Sequence, residues 1–208
     1  MGSMFEIYLI RHGQTDWNTE GRLQGHTDIH LNDQGIEQAL KLKEKLALIN
    51  FSAVVSSDLA RAHKTAELVL EPRQLGIITT PELRERSLGR WEGFLWSEYN
   101  QWLKEKVSLE SLTKDEYVAF KAEKNIESYD EVYTRVKNCI TSNAASLKGS
   151  TVLFASHGGV LAAVLYNLDF RPGHRWLVNN CGYIKLRVDA RGEFSLIESD
   201  GVQLIKGW

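Results

Sequence analysis

The chain has 208 residues, a length typical of one domain, and its 43% hydrophobic and 25% charged residues match an ordinary globular protein. This composition excludes a disordered, collagen-like or disulfide-scaffold chain. The 25 lysines and arginines nearly balance the 27 acidic residues, so no overall positive field would attract nucleic acid or an acidic membrane surface. We therefore expect a folded protein without a nucleic-acid or membrane partner.

Signals of location and processing favour a cytoplasmic protein. The longest apolar run near the start lies around Tyr8 and is far shorter than the roughly 20 residues of a membrane span, and no signal-peptide core precedes a cleavage site. Cys139 and Cys181 lack C-x-x-C spacing, which favours reduced thiols. Residues 1–3 resemble an expression scar before Met4, so a single domain is expected over residues 4–208.

Strands alternate with amphipathic helices along most of the chain. Residues 5–10 are an apolar run typical of a buried strand, and Asn32-Asp33 offers a helix start before apolar residues at helical spacing. The same pattern returns over residues 53–69 and 152–165. Such alternation predicts an α/β domain, a three-layer sandwich with a mostly parallel central sheet and helices on both faces.

Two later parts of the chain depart from this alternation. Residues 91–126 are polar and aromatic-rich, and we interpret them as a helical insertion without a strand. A packed helix is expected over residues 130–145. Residues 183–188 and 194–198 predict a hairpin at the edge of the sheet.

Chemistry-bearing side chains follow the predicted strands. Two strands end on a histidine and a glycine, at His12 and His157, and ligands of open α/β sheets bind beyond such strand ends. Arg11 precedes the first histidine, and Arg61 lies in the first turn of a helix, where backbone N–H groups favour an anion. Arginine suits bidentate phosphate binding, and histidine can act as nucleophile, acid or base. The sequence thus predicts a phosphate pocket with an imidazole nucleophile and without a metal or cofactor.

These motifs resemble the histidine phosphatase superfamily, also called phosphoglycerate mutase-like. The resemblance covers most of residues 5–165 and is carried, in family order, by Arg11-His12-Gly13-Gln14-Thr15-Asp16-Trp17-Asn18, Gln24-Gly25, Ser56-Ser57-Asp58-Leu59-Ala60-Arg61-Ala62, Leu83-Arg84-Glu85 and Ser156-His157-Gly158-Gly159. It implies one catalytic domain of the phosphoglycerate mutase-like fold, with the insertion over the active site.

The resemblance also implies roles for individual residues. His12 would be the transiently phosphorylated nucleophile, and Glu85 would protonate the leaving oxygen and then activate water. His157 would complete the catalytic set. The substrate-binding residues that it implies are Arg11, Asn18, Gln24, Gly25, Arg61 and Gly158.

Some of these roles have alternatives in the sequence. Glu82 and Glu92 compete with Glu85 as the proton donor, because all three stand in one charged stretch. Asn18 is of a type that caps turns, and Gln24 also fits a plain loop residue.

Other histidines and cysteines are interpreted as outside the chemistry. His26 and His30 are four apart, like helical metal ligands, but their surroundings indicate a loop. His63 and His174 are expected at the surface, and Cys181 is expected to be an unreactive thiol without an activating base.

We expect a cofactor-independent phosphatase that hydrolyses a small phosphomonoester through a phosphohistidine. Phosphoglycerate mutases of the superfamily hold a substrate carboxylate with paired arginines in the insertion, whereas this chain has no arginine between Arg90 and Arg135. That difference favours the phosphatase branch. The insertion's aromatic residues either roof the substrate or pack onto the sheet; they are Trp91, Phe94, Trp96, Tyr99 and Trp102.

Three alternatives stay open at this point. They are a phosphoglycerate mutase, a module that recognises phosphate without turnover, and a metal-assisted hydrolase built on two imidazoles and a carboxylate. The late strands are compatible with a monomer or a homodimer.

Overall fold

A six-stranded sheet organises the computed structural model, which describes residues 4–142 and 150–207. The strand order is β3-β2-β4-β1-β5-β6, with β1 to β4 parallel and β5 and β6 antiparallel to their neighbours. The strands are β1 Phe5–Arg11, β2 Ala53–Ser57, β3 Ile77–Thr80, β4 Thr151–Ser156, β5 His174–Val188 and β6 Phe194–Lys206. The predicted mostly parallel sheet is confirmed.

Alternate residues of β1 pack against helices on opposite faces of the sheet. Ile7 and Leu9 join a core with the helices α6 (Tyr129–Thr141) and α7 (Gly158–Leu168). Tyr8 and Ile10 join a second core with the helices α2 (Asp33–Lys45) and α3 (Ala60–Leu70). This follows from the period of two in a strand, and it explains why β1 reads as a continuous apolar run. The helices are α1 Asp16–Thr19, α2 Asp33–Lys45, α3 Ala60–Leu70, α4 Trp96–Lys104, α5 Lys114–Ala119, α6 Tyr129–Thr141 and α7 Gly158–Leu168. The three-layer sandwich is therefore confirmed.

The sheet has two features that the sequence did not predict. Strand β3 lies at one edge, where its residues are half-buried or exposed and carry little apolar pattern. At the other edge, β5 and β6 extend well beyond residues 183–188 and 194–198. A register shift between Val178 and Tyr183 interrupts β5, so its Asn- and Gly-containing middle resembles a turn in sequence while acting as a bulge.

Residues 91–126 contain α4, α5 and the short 3₁₀ segment Leu109–Ser111. Trp91, Tyr99 and Leu103 are buried there in a small core that also includes Leu23, Leu88 and Ile126. The helix expected over residues 130–145 is α6, which is described to Thr141. Residues 143–145, and residues 1–3, which the sequence suggested as an expression scar, lie outside the described residues.

Candidate active site

Two histidines meet at the carboxyl ends of adjacent strands. β1 and β4 pair in parallel with Arg11 opposite Ser156, so the next residues, His12 and His157, leave the sheet side by side. Their ring centroids are 5.2 Å apart. The structure thus brings together the two imidazoles that the sequence assigned to one crevice.

The contacts of His12 decide which ring nitrogen is available for chemistry. Its Nδ1 lies 2.6 Å from the carbonyl oxygen of Gly13, which only accepts, so Nδ1 carries the proton and donates it to this bond. Burial and the guanidinium groups of Arg61 and Arg11 hold the pKa of His12 well below its ordinary value, against the opposing effect of the Gly13 bond. The ring is neutral at pH 7, and Nε2 keeps the free lone pair that a nitrogen nucleophile needs.

The loop that carries His12 is wedged between α2 and α3. A Cβ at Gly13 would lie 2.4 Å from the carbonyl oxygen of Gly35 in α2. The amide of Gly13 donates to Oγ1 of Thr65 in α3 at 3.0 Å. Only glycine allows this close approach, so position 13 fixes the backbone beside His12.

His157 is fully buried beside the end of β2. Its Nε2 lies 2.9 Å from Oγ of Ser57, and its buried Nδ1 has no hydrogen-bond partner in the described part of the chain. Burial holds the pKa of His157 well below its usual value, and Arg61 and His12 lower it further. A bound anion would act in the opposite direction, because negative charge favours the protonated imidazole.

Arg61 is a fully buried cation that the first turn of α3 places under the site. Its Nη1 and Nη2 each donate at 2.8 Å, to the carbonyl oxygens of Thr27 and Gly25. Burial lowers the pKa of Arg61 to about 10, while Glu85 and Asp28 act against this shift. The guanidinium is therefore charged at neutral pH.

Arg11 lies against the start of α7. Its Nη1 donates to the carbonyl oxygen of Val178 at 2.5 Å. A Cβ at Gly158 would lie 3.3 Å from Nε of Arg11, so glycine lets the guanidinium approach the backbone of the helix start. Burial lowers the pKa of Arg11, and the carboxylate of Glu85 opposes this shift.

Four buried polar atoms around the imidazoles have no hydrogen-bond partner within residues 4–142 and 150–207. They are Nε of Arg11, Nε of Arg61, Nδ1 of His157 and Oε1 of Gln24. The two guanidinium N–H groups can only donate, and an unpaired buried donor costs about 1–3 kcal/mol. An oxyanion would accept from both, so the arrangement is that of an anion site.

Glu85 reaches this site from the chain segment that follows β3. Its Oε2 accepts from the amide of Gly159 at 3.1 Å, and its Oε1 accepts from the amide of Arg86 at 2.7 Å. These two amides hold the carboxylate at the N-terminus of α7, on the cavity wall.

The two competing glutamates lie elsewhere. Glu92 accepts from the amides of His26 and Thr27 at 3.1 and 2.9 Å, and it is not among the residues that line the cavity. Glu82 is exposed on another surface. The geometry therefore favours Glu85 over both.

Asn18 fits both of the interpretations that its sequence position allowed. Its Oδ1 accepts from the amide and the hydroxyl of Thr15, both at 3.1 Å, which caps α1, and from Nδ2 of Asn180 at 3.2 Å. The hydrogen-bonding group that this leaves is the Nδ2 donor, and Asn18 also lines the cavity.

Gln24 and Gly25 enter the cavity from the loop after α1. Gln24 is 7% exposed and Gly25 has φ of +52°, with its carbonyl oxygen bound to Arg61. A Cβ at Gly25 would lie 2.2 Å from Oε1 of Glu92. A side chain at this position would therefore disturb the loop that holds Arg61.

The cavity in front of these groups encloses about 430 Å³, within the range of roughly 300–1,000 Å³ that small-molecule sites occupy. Of the nine site residues that the sequence predicted, Arg61 and His157 lie beneath its surface and seven line it. The seven are Arg11, His12, Asn18, Gln24, Gly25, Glu85 and Gly158.

The aromatic insertion contributes in two ways. Trp96 and Tyr99 line the cavity, as the roof hypothesis expects. Trp91 packs on Trp102 with ring centroids 4.8 Å apart, and Phe94 is exposed, so these three follow the packing alternative or face solvent.

Several lining residues were missed by the sequence reasoning. Arg86 follows Glu85 directly, and this adjacency was a usable signal. Arg175 and Trp176 lie in the first half of β5, which no strand pattern indicated, and Tyr129 begins α6.

Two further histidines, His26 and His63, have partners in the fold, and Cys181 is buried. Nε2 of His26 lies 2.9 Å from the carbonyl oxygen of Glu85, and Nε2 of His63 lies 3.4 Å from Glu67. Burial raises the pKa of Cys181 to about 12, so its thiol is protonated at neutral pH. Among the described residues, no three His, Cys, Asp or Glu side chains are grouped as metal ligands would be.

The fold and the paired imidazoles define a phosphate-handling α/β enzyme. The family model of the histidine phosphatase superfamily (branch 1) matches residues 7–198, and the chain belongs to this superfamily.

Two curated relatives come from Arabidopsis thaliana. Phosphoglycerate mutase-like protein 4 is 33% identical over 168 residues, which cover 76% of this chain and 69% of that protein. The metal-independent phosphoserine phosphatase is 35% identical over 171 residues, which cover 76% of this chain and 66% of that protein. In the second case the alignment thus spans just under two thirds of the relative.

A solved structure of phosphoglycerate mutase from Bacillus anthracis strain Sterne has a TM-score of 0.78 at 28% identity, covering 96% of this chain and 94% of that one. The family-model match and the phosphatase relative together identify the protein as a phosphoric monoester hydrolase of the histidine phosphatase type. Among the helices described, none is both long and apolar enough to cross a bilayer.

Proposed function

We propose that this protein hydrolyses a small phosphomonoester, without metal or cofactor, through a phosphohistidine at Nε2 of His12. The observation that supports this most is the neutral His12 ring, with Nδ1 bonded to Gly13 and Nε2 free, beside unpaired guanidinium donors. Recognition of phosphate alone requires the donors but not a free nucleophilic nitrogen.

In the first half-reaction, Nε2 of His12 forms a bond to phosphorus while the P–O ester bond breaks. Glu85 gives its proton to the leaving oxygen, because an alkoxide is a poor leaving group at neutral pH. Arg11, Arg61 and His157 stabilise the charge on the phosphoryl oxygens, which is the main requirement of this transfer.

In the second half-reaction, water attacks phosphorus and the Nε2–P bond breaks. Glu85 takes the proton of the attacking water, which restores its starting form. Inorganic phosphate leaves, and His12 returns to the neutral ring with its proton on Nδ1.

The remaining predicted residues are proposed to bind substrate from the rim. Nδ2 of Asn18 donates to a phosphoryl oxygen, and Gln24 and Gly25 hold the wall beside Arg61. Gly158 provides the space for Arg11 and a backbone amide at the start of α7. We propose that residues 4–208 form one catalytic domain, in which residues 91–126 are the insertion.

A phosphoglycerate mutase is the second candidate, because relatives with that name match the chain. The lack of arginine between Arg90 and Arg135 disfavours a mutase. A coupled assay with 3-phosphoglycerate distinguishes the two, since a mutase isomerises this compound and a phosphatase releases phosphate from it.

The proposal is tested with 4-nitrophenyl phosphate in the presence of EDTA. We expect release of phosphate by the wild-type protein and by His30→Ala, a matched control at an exposed histidine, and no release by His12→Ala. Full activity of His12→Ala, or activity that appears only after a divalent metal is added, contradicts the proposal.

The phosphoenzyme provides an independent measurement. Rapid quenching with a ³²P-labelled substrate should give acid-labile, base-stable label on the wild-type protein and none on His12→Ala. A protein that binds phosphate tightly but never becomes labelled would be the recognition module instead.

A further inference from the structure

Two cations line the cavity away from the two imidazoles. Arg175 comes from the start of β5, where it lies opposite Ile205 of β6, and Arg86 follows Glu85. Neither belongs to the predicted phosphate site. The cavity wall beside them is aromatic: Trp96 lies against Arg175, Tyr129 lies against Arg86, and Tyr99 and Trp176 also line the cavity.

Arg175 has no acidic partner among the described residues. Its Nε is buried and without a hydrogen bond, and its guanidinium carbon lies 6.0 Å from the ring centre of Trp96. No carboxylate in the described residues forms an ion pair with it. By contrast, Arg22 on the same cavity wall pairs with Glu20 at 2.5 Å.

Arg86 likewise forms no ion pair with a carboxylate in the part of the chain that the structure describes. Its Nε donates to the backbone carbonyl of Glu127 at 2.6 Å, and its guanidinium carbon lies 4.5 Å from the ring centre of Tyr129. The carboxylate of Glu127 is bound instead by Arg135, at 2.9 and 3.0 Å. Burial opposes the charge of Arg86, yet the hydroxyls of Tyr129 and neighbouring tyrosines raise its pKa, so the guanidinium stays positive.

A guanidinium group in a partly buried wall loses hydration, and aromatic contacts and one backbone hydrogen bond offset this cost only in part when no described carboxylate lies beside it. A ligand anion would remove that cost. The phosphoryl group of the substrate cannot neutralise Arg175 and Arg86, because in the proposed reaction it is held by Arg11, Arg61 and the imidazoles. A second negative group on the substrate would therefore be needed to neutralise Arg175 and Arg86.

We propose that Arg175 and Arg86 form a subsite for a second anionic group, a carboxylate or a phosphate, on the body of the substrate. This inference rests on the proposed phosphatase function and names its substrate class: a phosphomonoester with a further negative charge, joined to the ester by an organic body that packs on the aromatic wall. Both cations lie outside residues 91–126, so this subsite differs in position from the insertion arginines that hold the substrate carboxylate in the mutases.

The test uses matched synthetic substrates. One series consists of ω-carboxyalkyl phosphates with two to six methylene groups, and the second carries a neutral carboxamide in place of the carboxylate. A third series, the α,ω-alkanediol bisphosphates, separates a phosphate preference from a carboxylate preference. Each is assayed for phosphate release as kcat/KM.

We expect the wild-type protein to prefer one anionic series over the carboxamides by about 10- to 100-fold at the best chain length, as for a charge-assisted hydrogen bond. Arg175→Met should reduce this preference to within about threefold, mainly by raising KM for the anionic series. The control is Arg171→Met, an exposed arginine paired with Asp169, which should keep the preference.

The outcomes separate the subsite from the catalytic proposal. Equal hydrolysis of the anionic and carboxamide series by the wild-type protein overturns the subsite even if Arg175→Met fails to fold, and leaves the phosphatase function standing. An unchanged preference in folded Arg175→Met also overturns it. No phosphate release from any series or from 4-nitrophenyl phosphate would instead refute the proposed function.

Discussion

Replacement of Gly159 by alanine tests the role of Glu85 while leaving residue 85 a glutamate. A Cβ at position 159 would lie 2.3 Å from Oε1 of Glu85, whereas ordinary contact begins at 3.4 Å. The clash is with the end of a flexible side chain, so the carboxylate moves by about 1.1 Å, the difference between these distances. The helix gains up to about 1 kcal/mol of propensity, so the fold is expected to tolerate the change.

A displacement of about 1 Å in a catalytic group costs on the order of 10²-fold in rate, equivalent to about 2.7 kcal/mol. Glu85 is proposed to protonate the leaving oxygen. The loss should therefore depend on the leaving group: near 10²-fold for an alkyl phosphate, and much smaller for 4-nitrophenyl phosphate, whose phenolate leaves without a proton.

The assay compares kcat/KM of Gly159→Ala and wild type on both esters, with Glu85→Gln as the reference for complete loss of the acid. Gly76→Ala is the matched control, because a Cβ there would meet no atom within 4 Å. Thermal unfolding confirms that each variant is folded. Equal losses on the two esters, or full activity on the alkyl ester, would refute the reasoning about Glu85.

Three further predictions concern stability and positioning. Gly13→Ala should lower the free energy of unfolding by at least about 2 kcal/mol in urea titrations, because its Cβ would lie 2.4 Å from the backbone oxygen of Gly35; a wild-type midpoint would contradict this. The low pKa values of His12 and His157 mean that the unfolded chain binds more protons below about pH 6.5, so stability should fall as pH drops below that value, by up to about 1.4 kcal/mol per pH unit for each histidine. Urea titrations in phosphate-free buffer measure this slope, which should become shallower when both are replaced by glutamine. Asn180→Ala removes a donor 3.1 Å from the carbonyl oxygen of His12 and should lower kcat about tenfold with little change in KM; an unchanged kcat excludes the positioning role.

The central sheet and its two imidazoles were accessible from the sequence because both rest on local patterns. An apolar run of strand length followed by His-Gly occurs twice, at His12 and His157. Parallel strands place their carboxyl ends at one edge, so the proximity of the two residues follows from the fold class. The 5.2 Å between the ring centroids then depends only on the neighbouring positions of β1 and β4.

The edges of the sheet were harder to predict for a physical reason. β3 is short and half-exposed, so burial imposes no clear pattern on it. β5 is divided by a bulge at Asn179 and Asn180, residues that usually mark turns. The first half of the strand therefore carried no recognisable signal.

Cavity residues supplied by distant segments could not be predicted from local patterns. The choice between Glu85 and Glu92 depends on which backbone amides each carboxylate meets, and those amides lie far apart in sequence. Arg175 lies in the first half of β5, which pairs with β6, while the second half of the same strand pairs with β1. The spacing of residues along the sequence does not indicate such long-range strand pairing.

Because β1 and β4 carry the two imidazoles, enzymatic activity depends on the folded state of the central sheet. These strands are the third and fourth of six, and the fraying of either outer edge leaves their ladder intact. Denaturant should therefore abolish turnover in the same transition that melts the sheet, so that each molecule is either fully competent or unfolded.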